Sequence, residues 1–139
     1  MRVFWDTNLF IYLLEPYGDL TAAVVGLAER MVVRGDRLYT SAITLGELLV
    51  QAMIRVDAME VARLKRAVAD HATVVPFDEQ AADVYARIRA ETDLRGPDAF
   101  QLACAGSAGA ELFVTNDERL SRKVVPGIPI LTSLRSVPI

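Results

Sequence analysis

Histidine and cysteine each occur once among the 139 residues, as His71 and Cys104. One cysteine cannot form an internal disulfide, and Cys104 lies in an apolar run, so we expect a buried structural thiol. One histidine excludes multi-histidine zinc sites and leaves little room for a nucleophile activated by histidine. We expect His71 to end a helix, where a positive charge suits the helix dipole.

Long apolar runs and hairpin signals are also missing from the sequence. The N-terminal apolar stretch is interrupted by Asp6 and Asn8 and stops at Glu15, which is too short to span a bilayer. It does not have the layout of a signal peptide, so we expect a cytoplasmic protein with no membrane partner. There is no Asn-Gly turn, internal repeat or low-complexity segment. Strands without hairpin signals favour parallel pairing through helical crossovers.

Composition and charge leave several kinds of partner open. Apolar residues make up 53% of the chain and mean hydropathy is +0.28, so we expect apolar surface that faces a partner or a second copy. The formal charge of −3 argues weakly against nucleic acid as a partner. If four of the 18 acidic residues bind metal, 14 remain against 15 basic ones, and a phosphodiester substrate is not excluded.

Strand-like and helix-like segments alternate along the whole chain. Short β-branched or aromatic runs predict strands at 3–5, 38–40, 73–76, 112–115 and 128–131. Apolar periodicity and capping residues predict helices at 9–14, 21–34, 41 or 44 to 56, 58–71, 78–92, 96–108 and 117–123. The expected fold is a single α/β domain over residues 1–139. It is a three-layer α/β/α sandwich around a central, mostly parallel sheet of about five strands.

Two acidic residues come just after predicted strands. Asp6 follows Val3-Phe4-Trp5, and Asp117 follows a strand that ends in Thr115-Asn116. In open parallel sheets, ligands bind beyond the carboxyl ends of the strands. The structural alternatives are an Asx turn at Asp6 and a helix cap at Asp117. We favour function for Asp6, because a carboxylate after three large apolar residues is costly to bury without a partner.

Two further acidic residues lie near predicted helix starts. Asp98 follows Gly96-Pro97 in a first helical turn, where the helix dipole alone would favour an acid. Glu47 completes a capping box if its helix starts at Thr44, and lies in the second turn of an apolar helix if the helix starts at Ser41. The four acids together predict one oxygen-only site for Mg²⁺ or Mn²⁺. Thr115 and Asn116 are placed to support it with hydrogen bonds.

The acidic residues have two other possible explanations: a phosphatase or phosphate-accepting domain, and a non-catalytic module. A phosphatase of the haloacid-dehalogenase type needs a second acid two residues after the first, where this chain has Asn8, and a receiver domain needs an acidic pair near its first strand. Both readings are poor. A non-catalytic module that only sequesters a partner is the other alternative, and a magnesium or manganese titration distinguishes it.

The order of these motifs resembles that of the PIN-domain nucleases, most closely the toxin of VapBC toxin–antitoxin pairs. The similarity spans essentially the whole chain, and four motifs in this order are specific although each alone is weak. The matching segments are Asp6-Thr7-Asn8, Ser41-Ala42-Ile43-Thr44-Leu45-Gly46-Glu47, Asp98-Ala99-Phe100-Gln101-Leu102-Ala103-Cys104-Ala105 and Thr115-Asn116-Asp117.

The resemblance implies an endoribonuclease that depends on Mg²⁺, or on Mn²⁺ as a substitute, and is the toxin of a type II toxin–antitoxin system. It implies a cognate VapB-type antitoxin as inhibitor, a homodimer, a toxin–antitoxin hetero-oligomer and a structured RNA substrate such as tRNA or rRNA. The implied catalytic residues and metal ligands are Asp6, Glu47, Asp98 and Asp117. The implied supporting polar residues are Thr7, Asn8, Thr115 and Asn116.

Surface roles can also be assigned to particular segments. We expect the antitoxin to lie across a groove between the helices at 21–34 and 41–56, with Leu49 and Val50 in contact with it. Three arginines near the acids in sequence are candidate phosphate contacts. They are Arg37, Arg95 and Arg119.

Overall fold

The computed structural model describes residues 1–139. It contains five strands: β1 (Arg2–Trp5), β2 (Arg37–Ser41), β3 (Thr73–Val75), β4 (Leu112–Thr115) and β5 (Ile130–Ser133). Seven helices connect them: α1 (Thr7–Leu14), α2 (Asp19–Arg34), α3 (Ala42–Ile54), α4 (Ala58–His71), α5 (Glu79–Glu91), α6 (Gly96–Ser107) and α7 (Glu118–Ser121).

The five strands form one sheet in the order β3-β2-β1-β4-β5, and every neighbouring pair is parallel. The predicted α/β class and five-stranded sheet are confirmed, and the sheet expected to be mostly parallel is parallel throughout. The chain moves outward from β1 through β2 to β3 and then returns to place β4 on the other side of β1. The order therefore reverses between β1 and β4, which is where open parallel sheets bind ligands.

Each face of the sheet supports one part of the hydrophobic core. Phe4 packs towards α5 and α6, and its ring stacks on that of Phe113 at 5.2 Å between centroids. Val3 and Trp5 point to the opposite face, where they pack with residues of α1 and α2. This alternation follows from the two-residue period of a strand. It gives the three layers that the sequence predicts and fixes which side of β1 each helix covers.

Helix caps explain several element boundaries. The Ser41 hydroxyl accepts hydrogen bonds from the backbone N–H groups of Ile43 and Thr44, so α3 starts directly after β2. The alternative of a capping box at Thr44 is therefore wrong, and Glu47 lies in the second turn. His71 ends α4 as predicted. Cys104 is buried as predicted, and burial together with the charge of Asp78 raises the pKa of its thiol to about 11.

The predicted last strand, 128–131, is displaced by two residues from β5. The chain makes a turn first, with Gly127 at φ +82° and the N–H of Ile128 donating to the carbonyl of Val125. Ile128 precedes the strand but is buried in the core with Phe4 and Phe113, so its apolar character does not mark a strand residue. The strand that follows pairs with β4 as far as Ser133, opposite Thr115.

Several large apolar side chains remain exposed, as composition predicts. They are concentrated on α2 and around the turn between α3 and α4, and include Val32, Val33, Val50, Met53, Ile54, Val56 and Met59. Val56 also adopts φ +54°, a conformation that β-branched residues rarely adopt. Taken singly, none of the helices has the length and apolar character to cross a bilayer, and the one successive pair that has them, α1 with α2, is bent by 103°.

Candidate functional site

The four predicted acids lie around the carboxyl edge of the sheet, on both sides of the reversal point. Asp6 directly follows β1, and Asp117 follows β4 by two residues. Helix α3 leaves this edge after β2, and α6 starts at this edge because it runs back to the beginning of β4. Glu47 and Asp98 therefore lie in the first two turns of helices that begin there. The topology alone brings four distant parts of the sequence to one edge of the sheet.

Asp6 is the most constrained of the four. Its side chain is buried, with 9% of its surface exposed, and caps α1. The backbone N–H of Thr7 donates to Oδ1 at 2.8 Å, and the Thr115 hydroxyl donates to Oδ2 at 2.8 Å. Each carboxylate oxygen thus has one fixed donor and retains lone pairs for a further partner.

Burial is the main reason that the pKa of Asp6 rises from 3.8 to about 6. The hydrogen bonds from Thr115 and Thr7 oppose this rise, while the negative charges of Asp98 and Glu47 add to it. The pKa of Asp98 is also raised, first by burial and then by the charges of Asp117 and Glu47, with Arg119 opposing them. The four carboxylates therefore influence one another electrostatically, as one cluster of like charge.

The carboxylates are neighbours but do not form a closed metal cage. No three His, Cys, Asp or Glu side chains converge closely enough to hold an ion in the positions that they occupy. Glu47 is exposed on α3, and Asp98 and Asp117 are half-buried. Asp117 caps α7 as the structural alternative proposed: one oxygen, Oδ1, accepts from the N–H groups of Arg119 and Leu120 at 2.9 and 3.1 Å. Its other oxygen is free of protein donors, so capping leaves it available for a ligand.

Thr115 is the centre of the predicted supporting residues. Besides donating to Asp6, its hydroxyl accepts from the N–H of Asp117 at 3.1 Å and from Asn8 Nδ2 at 3.4 Å. Asn8 Oδ1 in turn accepts from the N–H of Asn116 at 3.1 Å. These contacts connect the segments that follow β1 and β4. Thr7 contributes its backbone N–H to Asp6, whereas its side chain turns away towards α3 and α6.

Sequence reasoning missed a second set of buried polar residues. Ser41, Thr44 and Gln101 are all buried, and their side chains bond to one another and to Thr7. The missed signal was Gln101, an amide one turn after Asp98 in a helix that is otherwise small and apolar. The Asn116 amide also donates to the hydroxyl of Tyr12 on α1, a contact that nothing in the sequence indicated.

Of the three candidate phosphate contacts, two lie at the correct edge of the sheet. Arg119 is close enough to Asp98 to affect its pKa, and Arg95 is the residue that precedes α6. Arg37 is wrongly assigned, because it begins β2 and so lies at the opposite edge. A five-residue strand spans roughly 13–16 Å, beyond the reach of that side chain to the acids.

Comparison with known proteins adds independent information. The sequence pattern of the PIN domain matches residues 3–125. The structure of VapBC2 from Rickettsia felis bound to a promoter DNA fragment is similar to this chain, with a TM-score of 0.75 and 19% identity over 96% of this chain and 98% of that chain. DNA-bound VapBC from Salmonella typhimurium is similar with a TM-score of 0.63 and 27% identity, over 96% of this chain and 98% of that chain. A toxin–antitoxin complex from Klebsiella pneumoniae is similar with a TM-score of 0.64 and 21% identity, over 91% of this chain and 94% of that chain. The comparison with curated protein sequences gives no match.

The raised pKa of Asp6 predicts how stability depends on pH when divalent metal is removed by EDTA. The folded protein holds this proton more tightly than the unfolded chain, so the associated stability is present below pH 4 and is lost as pH rises through about 6. Asp6→Asn, which remains a good cap, should therefore raise the free energy of unfolding at pH 7 by up to about 3 kcal/mol. The gain should disappear near pH 4, as measured by urea unfolding at both pH values.

Asp36 provides a control of opposite sign. Burial acts to raise its pKa, but hydrogen bonds from the N-terminal ammonium and Arg34 outweigh this and lower it. Its stabilising effect is present above its unfolded pKa and is lost as pH falls, so Asp36→Asn should lower stability at pH 7. Equal effects of the two substitutions at pH 7 would contradict this account of Asp6.

Proposed function

This chain belongs to the PIN-domain family, and from that premise we propose that it is a metal-dependent endoribonuclease, the toxin of a type II toxin–antitoxin system. The observation that carries the proposal is the cluster of four mutually repelling carboxylates at the reversal point of the sheet. Nuclease chemistry is consistent with family membership, and the likeness to VapBC assemblies supports the toxin role.

The residues of the cluster fit a hard divalent cation. All of their donor atoms are carboxylate oxygens, the ligands that Mg²⁺ and Mn²⁺ prefer. The single histidine ends α4, and the single thiol donates to the carbonyl of Pro76. Burial and mutual repulsion disfavour the charged forms of Asp6 and Asp98, and a cation would relieve both effects. Asp6, Glu47, Asp98 and Asp117 would hold the ion. When bound, Mg²⁺ lowers the pKa of water and offsets negative charge on a phosphate.

The proposed reaction is hydrolysis of an RNA phosphodiester. The oxygen of a water molecule forms a bond to phosphorus, the bond from phosphorus to the ribose O3′ breaks, and O3′ leaves with a proton. The products carry 5′-phosphate and 3′-hydroxyl ends. No side chain acts as nucleophile, in agreement with the buried position and raised pKa of Cys104.

The chain's own residues orient and balance the reacting groups. Thr115 and the Thr7 backbone fix both oxygens of Asp6, so its free lone pairs face a defined direction. The cap interaction fixes Asp117 through one oxygen only. Arg119 places a positive charge beside Asp98, where it can contact a substrate phosphate. The substrate that we propose is a structured RNA such as tRNA or rRNA.

One observation favours a second candidate, a non-catalytic module that only binds a partner. The carboxylates as they stand do not converge on one point. Such a module would show no stabilisation by Mg²⁺ or Mn²⁺, whereas a protein that binds the ion in its folded state is stabilised by mass action. A thermal-shift titration with MnCl₂ separates the two candidates, and a shift that rises with ion concentration supports the enzyme.

The nuclease proposal predicts that Asp6→Asn and Asp117→Asn each reduce Mg²⁺-dependent cleavage of a structured RNA by more than about 100-fold. Asparagine keeps the capping oxygen at both positions while it removes a negative charge that would hold the ion. Cleavage of end-labelled RNA measures the rate, and circular dichroism checks the fold.

Asp57→Asn is the matched control, because Asp57 caps α4 through the N–H of Glu60 but is not part of the cluster. It should leave the cleavage rate unchanged. Wild-type activity that survives in EDTA, or wild-type activity in Asp6→Asn, would refute the metal-dependent mechanism.

We further propose that a VapB-type antitoxin covers apolar surface on this domain, within a hetero-oligomer that contains a toxin homodimer. The expected groove between α2 and α3 is partly filled, because α1 contacts both of those helices. Leu49 is wrongly assigned to it: its side chain is buried and packs with Ala52 and Leu64. Val50, also expected in the groove, has 49% of its surface exposed and is available.

The antitoxin surface predicts that Val50→Asp weakens binding of the antitoxin encoded beside this chain by more than tenfold, since a charge is costly to bury in an apolar contact. The melting temperature of the Val50→Asp variant should stay close to that of the wild type. The control is Val124→Asp, an exposed valine in the loop after α7. Surface plasmon resonance measures the affinity for the antitoxin. If Val50→Asp binds it as tightly as the wild type does, this face of α3 is not part of the antitoxin surface.

A further inference from the structure

Gln101 is a buried amide whose side chain bonds to hydroxyl groups from two other parts of the chain. Only 2% of its surface is exposed. Its Nε2 donates to the hydroxyls of Thr7 and Thr44 at 2.9 and 2.7 Å, and its Oε1 accepts from the Ser41 hydroxyl at 2.5 Å. The Thr7 and Thr44 hydroxyls lie 3.1 Å apart. The amide thus uses both donor hydrogens and one acceptor position in a single network.

Every partner of Gln101 is close in the chain to one of the clustered carboxylates. Thr7 follows Asp6 and donates its N–H to it. Thr44 precedes Glu47 by three residues on α3, and Gln101 follows Asp98 by three residues on α6. Side chains three residues apart lie on the same helical face. The network therefore joins the starts of α1, α3 and α6, the three helices that carry or follow these acids.

Gln101 is a polar residue on an otherwise apolar buried part of α6, where Ala99, Leu102, Ala103 and Ala105 are its neighbours in the sequence. A side chain of similar volume without polar atoms would fill its space but leave the hydroxyls of Thr7, Ser41 and Thr44 without this partner. The carboxylates, in contrast, repel one another, and repulsion pushes the three helix starts apart. Fixed hydrogen bonds between those helix starts resist this separation.

We propose that Gln101 is a positioning residue, whose carboxamide holds the segments bearing Asp6, Glu47 and Asp98 at the separation at which their carboxylates can share one divalent cation. The inference rests on the proposed metal-dependent function and deepens it. Gln101 contacts none of the acids directly and acts through Thr7, Ser41 and Thr44. Groups that hydrogen-bond directly to metal ligands change metal affinity by about 10–100-fold when they are replaced, and Gln101 lies one contact further out, so we expect an effect at the lower end of this range.

The test measures binding of MnCl₂ by isothermal titration calorimetry without RNA, together with the metal-free melting temperature. Gln101→Met keeps the volume and removes the hydrogen bonds, and should raise the Kd for Mn²⁺ by about tenfold. Thr44→Val removes one partner hydroxyl and should act in the same direction. The double variant should have a Kd for Mn²⁺ no higher than that of the single variant that binds Mn²⁺ less tightly, because both substitutions remove the same network.

Ile88→Val is the matched control, since Ile88 is buried on α5, outside the network, and its loss lowers stability without touching the acids. It should leave the Kd for Mn²⁺ unchanged. Wild-type affinity in folded Gln101→Met overturns the positioning role, and Thr44→Val decides the question if Gln101→Met does not fold. A wild-type protein that binds no Mn²⁺ overturns the proposed metal-dependent function instead.

Discussion

The carboxylate of Asp6 is buried at the end of the central strand, and the surrounding structure follows from this constraint. Burial and nearby negative charge raise its pKa to about 6, so the charged form weakens the metal-free fold at neutral pH. Two fixed donors, the Thr7 N–H and the Thr115 hydroxyl, partly compensate. If a cation binds there as we propose, it would stabilise the charged form of Asp6 and so recover the stability that the metal-free protein loses at neutral pH.

The order of the strands and helices brings three further carboxylates to the same edge of the sheet as Asp6. The strand order reverses between β1 and β4, and the segments after these strands lie side by side at the same edge of the sheet. Helices α3 and α6 also begin at this edge, which brings Glu47 and Asp98 close to Asp6 although they are distant in sequence. The position of each acid is thus a consequence of where a strand ends or a helix begins. Hydrogen bonds of Thr115, Asn8 and Gln101 connect these segments to one another.

Much of this arrangement can be predicted from the sequence, because local patterns determine strand ends and helix starts. Asp6 after Val3-Phe4-Trp5 and Asp98 after Gly96-Pro97 are readable in this way. The Gln101 network was not predictable, since its amide and the Thr7 hydroxyl are 94 residues apart in the chain and only tertiary packing brings them together. The inward orientation of Leu49 and the late start of β5 have the same origin. Both depend on which neighbour covers an apolar residue, and periodicity within one segment does not contain that information.

Anomalous diffraction from crystals grown with MnCl₂ would show whether the four carboxylates form one divalent-metal site. We expect a manganese peak at the reversal point of the sheet, roughly 2.0–2.3 Å from oxygens of Asp6 and of at least one of Glu47, Asp98 and Asp117. The side chains of the last three would move towards the ion from the positions that they occupy without it. A crystal saturated with Mn²⁺ that shows no peak at Asp6, or a peak only at a distant surface carboxylate, would mean that the four carboxylates do not form a metal site.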